Sequence, residues 1–160
     1  MEKKKISFDL SVYDAVESLP DDELKLMQAA IAARKNAYAP YSDFYVGAAA
    51  LLENGEVVIG NNQENASFPA GLCAEGVAVF QAGSRFPGVV IKTIAISAAS
   101  NKYVVDKPTA PCGICRQSIS EYENRQKTPI SLLMAGEKGS VFKCESVADI
   151  LPLGFDSSYL

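Results

Sequence analysis

The sequence predicts an α/β fold of three layers, α-β-α, with a mixed central sheet of about five strands. Short apolar runs rich in β-branched residues alternate along the chain with segments of helical periodicity. An Asn-Gly pair joins two of the apolar runs, which is typical of a hairpin and requires antiparallel strands within the sheet. The length of 160 residues suits one domain, and we expect a single domain over residues 1–160.

The first elements are a strand and a helix. Residues 6–13 alternate between apolar and polar side chains, which predicts a strand with one buried face. We treat residues 1–17 as an extension that forms an extra edge strand or an arm. A helix is expected to begin within residues 18–23, which supply a cap, an early proline and first-turn acids, and it should end before Ala39-Pro40.

The middle of the chain predicts a hairpin, a polar loop and a helix, in that order: Tyr45–Leu52 and Glu56–Ile59, then 60–72, then Cys73–Ala82 with Gly83 as its cap. The remaining segments predict a buried strand, a helix, two strands and a short capped helix: Val89–Ala98, Pro111–Glu123, Ile130–Met134, Val141–Cys144, and the segment opened by Ser146 and Asp149.

Charge and composition exclude several classes of function. The net charge of −4 argues against nucleic acid as the main partner, since such proteins need a basic face. No apolar run is long enough to span a bilayer, and nothing in the composition attracts an anionic membrane. The charged first residues, 1–5, precede no signal-peptide core, so we expect a cytoplasmic location. The chain contains no histidine, which excludes every mechanism built on imidazole.

Two cysteine motifs carry the chemistry, and each lies at the start of a predicted helix. Cys112 and Cys115 are separated by two residues, which places both sulfurs on one side of a helical turn, and Cys73 supplies a third sulfur. Helix N-termini favour the thiolates that zinc requires. Three protein ligands leave one zinc position open for water, which is typical of a catalytic site. Glu75 follows Cys73 by two residues and is predicted to move protons there.

A closed structural zinc site is the alternative that the cysteines by themselves leave open. Cys144 would then be a fourth ligand, and the metal would only stabilise the fold. Cys144 lies in an alternating strand, however, and is more simply a buried thiol.

These motifs, with others around them, resemble the short cytidine deaminases that bind zinc through three cysteines. The resemblance covers residues 37–155 and rests on Ala37-Tyr38-Ala39-Pro40-Tyr41-Ser42, Phe44, Val46-Gly47-Ala48-Ala49, Asn62, Glu64-Asn65-Ala66-Ser67, Gly71-Leu72-Cys73-Ala74-Glu75 and Pro111-Cys112-Gly113-Ile114-Cys115-Arg116-Gln117. It implies hydrolytic deamination of cytidine and deoxycytidine in pyrimidine salvage. It also implies one zinc ion per subunit and a homotetramer whose active sites are shared between subunits.

The resemblance also implies roles for individual residues. Glu75 would move protons from water to ring nitrogen 3 and to the departing ammonia. The other positions would bind the nucleoside: Asn62 and Glu64 through the sugar hydroxyls, Phe44 against the ring, the backbone at Ala74 near the ring carbonyl, Phe68 near a subunit boundary, and Phe155 toward the base in a neighbouring subunit.

One position departs from the family pattern. Relatives usually carry arginine after Cys-Ala-Glu, where this chain has Gly76, and that arginine is thought to offset the charge of three thiolates. We expect Arg116 and the two helix N-termini to compensate.

Two further functions compete with cytidine deamination. One is a deaminase of the same fold that acts on another amino-pyrimidine nucleoside or on a nucleoside antibiotic. The other is the non-catalytic zinc module. Metal content together with ammonia release from cytidine would distinguish all three.

Overall fold

The computed structural model describes residues 1–160 and is organised around one mixed sheet of six strands. The strands are β1 (Ser11–Tyr13), β2 (Phe44–Leu52), β3 (Val57–Asn61), β4 (Ile91–Ser100), β5 (Ser131–Ala135) and β6 (Val141–Cys144). Their spatial order is β1-β6-β5-β4-β2-β3. The β4–β5 pair is parallel and every other neighbouring pair is antiparallel.

Three helices cover the two faces of the sheet: α1 (Asp21–Arg34), α2 (Ala74–Arg85) and α3 (Gly113–Gln126). Apolar residues of α1 form one core cluster with one face, and those of α2 and α3 form a second cluster with the other face. The predicted three-layer α-β-α architecture is therefore confirmed. None of the helices combines the length and the hydropathy that crossing a bilayer requires.

The two-residue period of the strands decides which side chains enter which cluster. On β4, Ile94 and Ile96 pack with α2 and α3, whereas Ala95 between them packs with α1. On β5, Leu132 lies in the cluster of α2 and α3, and Leu133 lies in the cluster of α1. Both faces of the central strands are buried, so their sequences are almost continuously apolar.

The N-terminal strand is much shorter than the alternation of residues 6–13 predicts. Only Ser11–Tyr13 pairs with β6, and residues 1–10 are exposed and have no regular structure. Strand β6 has four residues and offers too few backbone partners to extend the pairing. The alternation of residues 6–13 is typical of a strand, but β6, the strand with which it would pair, ends at Cys144. Strand β1 also raises the strand number to six from the predicted five or so.

Gly83 does not end the second helix as predicted, because α2 continues to Arg85. A Cβ at Gly83 would lie 2.4 Å from the Tyr122 hydroxyl oxygen. This glycine allows α2 and α3 to approach closely, and the helix continues past it because no left-handed cap is formed there. The predicted capping box at Ser146 and Asp149 is present and opens a short 3₁₀ helix, Val147–Ile150.

Strand direction brings the N-termini of α2 and α3 together. Strands β3 and β4 both run antiparallel to β2, so they run in the same direction. Helix α2 follows β3 and helix α3 follows β4, and both helices pack on the same face. Each helix therefore begins near the same edge of the sheet, where the loops after β3 and β4 emerge.

The contact between α1 and β2 at Gly47 predicts a steric cost. A Cβ at Gly47 would lie 2.0 Å from the Ala30 carbonyl oxygen and 2.5 Å from the Arg34 backbone nitrogen. We expect Gly47→Ala to lower the free energy of unfolding by about 1–3 kcal/mol in urea, because backbone must shift. Gly113→Ala is the control, since a Cβ there meets nothing within 4 Å. Equal stability of the two variants would contradict this packing.

Candidate metal and nucleoside site

Three cysteine sulfurs converge where α2 and α3 begin. Cys73 is the N-cap residue of α2, Cys112 is the N-cap residue of α3, and Cys115 lies in the first turn of α3. The Cys73 and Cys112 sulfurs are 3.9 Å apart, and those of Cys112 and Cys115 are 3.6 Å apart. All three sulfurs lie within 4.8 Å of one another.

The spacing of these sulfurs fits one metal ion. Zinc–sulfur bonds in a tetrahedral site place two sulfurs about 3.8 Å apart. The two sulfur–sulfur distances, 3.6 and 3.9 Å, lie on either side of that value. Thiolates are ligands that suit zinc, and three of them leave a fourth position free. The three cysteines could therefore hold a single zinc ion.

The Cys73 and Cys115 thiols differ in pKa. Hydrogen bonding from Cys115, and less strongly from Cys112, lowers the pKa of the Cys73 thiol to about 7, although burial and the Glu75 charge oppose this change. The same contact with Cys73, together with burial, raises the pKa of Cys115. A thiolate is thus stabilised at the N-terminus of α2, where the helix dipole also favours negative charge.

Glu75 lies beside the sulfurs in the first turn of α2 and is 5% exposed. Burial raises the pKa of its carboxyl group, while hydrogen bonds from its own backbone N–H and from Cys115 partly oppose this effect. A buried carboxyl group beside a possible metal site is a typical proton carrier in general acid–base catalysis. The spacing of two residues from Cys73 thus places Glu75 beside the cluster.

Cys144 lies apart from the three sulfurs. It is fully buried at the end of β6, in the core cluster that contains Ile119 and Val147. The group of possible metal ligands contains Cys73, Cys112 and Cys115 without it. Burial raises the pKa of Cys144 to about 11, so it remains a neutral thiol at neutral pH. Nothing in the fold provides a fourth sulfur.

A cleft of about 590 Å³ opens next to Cys73. This volume lies in the range of small-molecule sites. Both polar and apolar residues line it: Tyr41, Ser42, Asn62, Gln63, Glu64, Asn65, Phe68, Pro69, Gly71, Leu72, Cys73 and Ile114. The predicted residues Asn62, Glu64 and Phe68 thus line one cavity together with a predicted metal ligand.

Asn62 and Glu64 differ in how much of their hydrogen-bonding capacity the protein uses. The Asn62 side chain accepts from the Val46 N–H at 2.8 Å and donates to the Phe44 carbonyl at 2.9 Å, so it clamps the start of β2. Glu64 accepts from the backbone N–H groups of Tyr41 and Ser42 and from the Ser42 hydroxyl. These bonds lower the pKa of Glu64 and keep it ionised.

The other predicted substrate residues have different surroundings. Phe68 is 76% exposed in the cleft wall and meets Tyr41 edge to face. Phe44 is partly buried at the first position of β2 and does not line the cleft. Ala74 is fully buried where α2 begins, so its backbone N–H has no intrahelical acceptor. Phe155 is 56% exposed, stacks on Tyr159, and lies outside the cleft of its own chain.

Neither Arg116 nor the residue at position 76 places a positive charge on the cysteine sulfurs. The Arg116 guanidinium donates to the carbonyls of Pro111, at 2.8 Å, and Ile150, at 2.6 Å, rather than to a sulfur. It therefore fixes the backbone that precedes Cys112. Gly76 is buried beside the Phe80 ring, and the groups that shift the pKa of Cys73 include no cation. The helix N-termini remain the positive partners of the thiolates.

Sequence reasoning did not assign several residues of the cleft. Tyr41, Ser42, Leu72 and Ile114 belong to the motifs that carry the family resemblance, which implies no role for them, and all four line the cleft. Ile114 is 79% exposed between two cysteines, and with the exposed Phe68 and Leu72 it gives the cleft an apolar surface, which is typical of a binding site.

Comparison with known proteins assigns this site to a family. The family model described as cytidine and deoxycytidylate deaminase zinc-binding region matches residues 20–130, which include all three converging cysteines. The chain belongs to the cytidine and deoxycytidylate deaminase family. The matched region is zinc-binding, and the cluster of three cysteines is consistent with one zinc ion per chain.

Individual relatives carry the same family name. The chain is 37% identical over 140 residues to a cytidine deaminase of Sporosarcina psychrophila, covering 87% of this chain and 95% of that protein. It is 44% identical over 100 residues to a cytidine deaminase of Halalkalibacterium halodurans, covering 62% and 71%. The crystal structure of cytidine deaminase from Burkholderia pseudomallei matches with a TM-score of 0.71 and 39% identity over 82% of this chain and 97% of that one.

The burial of Cys144 predicts different reactivity among the cysteines. In the metal-free folded chain at about pH 8, iodoacetamide should alkylate Cys73 and Cys112, which are exposed. Cys144 should remain unmodified, because its pKa of about 11 leaves it protonated and the core covers it. Peptide mass spectrometry measures this. Alkylation of Cys144 at the rate of Cys73 would contradict its place in the core.

Proposed function

We propose that this chain is a zinc-dependent cytidine deaminase that hydrolyses cytidine and deoxycytidine to uridine and deoxyuridine, with release of ammonia. One observation carries the proposal. Three sulfurs spaced for a single metal ion lie beside a buried carboxylate, at a cleft large enough for a nucleoside. The family membership described above supports the same reaction.

In this proposal Cys73, Cys112 and Cys115 hold the zinc ion. Both helix N-termini point at the cluster, and this arrangement lowers the cost of gathering three thiolates. Bound zinc supplies a Lewis acid that lowers the pKa of a coordinated water to about 7. The burial of Cys144 elsewhere supports an open site rather than a closed structural one.

Glu75 is the proposed proton carrier. Its carboxylate takes a proton from the attacking water and delivers it to ring nitrogen 3 while the water oxygen bonds to carbon 4. It then transfers the second water proton to the amino group, the bond between carbon 4 and nitrogen breaks, and ammonia leaves. Burial supports this role, since it excludes bulk water that would compete for the protons.

The cleft residues supply the substrate contacts. Glu64 accepts a hydrogen bond from a sugar hydroxyl. The Asn62 amide still has one donor and one acceptor position for the sugar, because its contacts with β2 use only one of each. The exposed ring of Phe68 offers an apolar surface, and the free N–H at Ala74 faces the ring carbonyl. The Phe44 backbone carbonyl accepts a hydrogen bond from the Asn62 amide, and so helps to position the Asn62 side chain.

We also propose a cytoplasmic homotetramer with shared active sites, in which each chain forms a single domain and residues 1–17 form an arm or edge strand. Phe155 supports shared sites, because its ring is exposed and lies outside its own cleft. A neighbouring subunit would then receive this ring over the base.

Removal of the proposed proton carrier tests the mechanism. We expect Glu75→Ala to retain one zinc ion per chain and to lose deamination by a factor of about 10²–10⁴, because positioned proton transfer contributes that much. Zinc is measured by atomic absorption and uridine by chromatography. Glu56→Gln is the matched control, since Glu56 is exposed on the hairpin turn. Near-normal turnover in Glu75→Ala would refute the assignment.

Complementation tests the shared site. Phe155→Ala should raise KM about tenfold or more, because stacking on a base is worth about 1–3 kcal/mol. Coexpression of Glu75→Ala chains with Phe155→Ala chains should produce mixed sites that carry both native side chains. Activity at low cytidine concentration should then exceed the sum of the two separate variants. Simple additivity, or a monomer in sedimentation, would contradict shared sites.

A further inference from the structure

The carboxylate of Glu64 has nearly all its acceptor positions filled by one turn of the chain. Oε2 accepts from the Tyr41 N–H at 2.9 Å and from the Ser42 N–H at 3.3 Å. Oε1 accepts from the Ser42 hydroxyl. An ionised carboxylate offers about four acceptor positions, so three are occupied and one remains, on Oε1.

The Ser42 hydroxyl is held in the orientation that this requires. Its oxygen accepts from the Phe44 backbone N–H at 3.0 Å, which leaves its single proton for Glu64. Ser42, Glu64 and Asn62 all line the cleft. The remaining acceptor of Glu64 is therefore available within the cavity that also reaches Cys73.

The turn that carries Ser42 is fixed from behind. Asp43 has a φ of 56°, a left-handed conformation that is uncommon among non-glycine residues and that aspartate adopts more readily than most. Lys102 donates to the Ser42 carbonyl at 3.2 Å and pairs with the Asp43 carboxylate at 3.0 Å. The Asn101 N–H donates to the Asp43 carbonyl at 3.2 Å. The loop after β4 thus holds the donors that orient Glu64.

The alternative to this arrangement is a mobile carboxylate. Glu64 is partly exposed in the cleft. Without these hydrogen bonds, water would occupy its acceptor positions and its side chain would sample several rotamers. A ligand hydroxyl would then have to order the side chain as it binds, which weakens binding. The largest influence that keeps the pKa of Glu64 low is the bond from Ser42, so the same contact keeps the group an acceptor only.

We propose that Ser42 is a positioning residue that leaves Glu64 a single open acceptor, so that the chain selects nucleosides carrying one particular sugar hydroxyl. The proposal rests on the proposed function, because it requires a nucleoside in the cleft. It assigns the selectivity to Ser42 and to its fixed turn, in addition to the carboxylate that touches the sugar.

The test compares two substrates that differ only in their sugar hydroxyls. For cytidine, Ser42→Ala should raise KM about tenfold with kcat within about twofold, because the interaction contributes to ground-state binding. For 2′,3′-dideoxycytidine, which gives Glu64 nothing to bind, native chain and Ser42→Ala should have the same KM. The 2′- and 3′-deoxycytidines then identify which hydroxyl is selected.

Two variants separate positioning from folding. Ser42→Thr keeps a hydroxyl at the same atom and should restore the KM for cytidine to within about threefold of native. Ser131→Ala removes a hydroxyl that bonds the Thr93 hydroxyl at 2.9 Å on strand β5, outside the cleft, and should change neither substrate's KM. Thermal unfolding confirms that each variant is folded.

The outcomes distinguish this inference from the proposed function. An equal rise of KM for both substrates in Ser42→Ala, or no rise for either, would overturn the role of Ser42. If the native zinc-loaded chain does not deaminate cytidine, the proposed function fails. Calorimetric dissociation constants for the same two nucleosides then decide about Ser42: loss of affinity confined to cytidine supports the inference, and equal affinities, or no binding, overturn it.

Discussion

The convergence of two helix N-termini at one edge of the sheet is the constraint on which the site depends. Strands β3 and β4 run in the same direction because both pair antiparallel with β2. The helices that follow them pack on one face, and the loops that precede the helices meet. Cys73 lies at one of these helix starts, and Cys112 and Cys115 lie at the other.

Close packing beneath this edge sets the precision of the convergence. A Cβ at Gly60 would lie 2.3 Å from the Ala74 carbonyl oxygen, so the first turn of α2 rests directly on β3. At the other end of the helix pair, Gly83 allows Tyr122 of α3 to approach α2. These close contacts fix the position of α2 relative to β3 and α3, and Cys73 lies at the start of that helix.

The site divides its tasks between buried and exposed groups. Glu75 and Cys115 are buried where α2 and α3 begin, whereas Cys73 and Cys112 are exposed. In the proposed mechanism, the burial of Glu75 protects proton transfer from bulk water. The proposed nucleoside contacts belong to the loop after β3 and to the turn at residues 41–43, which Lys102 and Asn101 contact. In the proposed function, loops therefore supply recognition, while the sheet and helices position the reacting groups.

Local sequence determined the parts of this protein that depend on neighbouring residues. The periodicities predicted the strands and helices, the Cys-x-x-Cys spacing predicted a metal clamp, and the capping box at Ser146 formed as expected. Contacts between distant residues decided the rest: β1 is short because β6 ends early, and Gly83 lies inside α2, where Tyr122 of α3 packs against it. The burial of Cys144 and the three hydrogen bonds to the Glu64 carboxylate could be known only from the tertiary structure, since each depends on residues far apart in the chain.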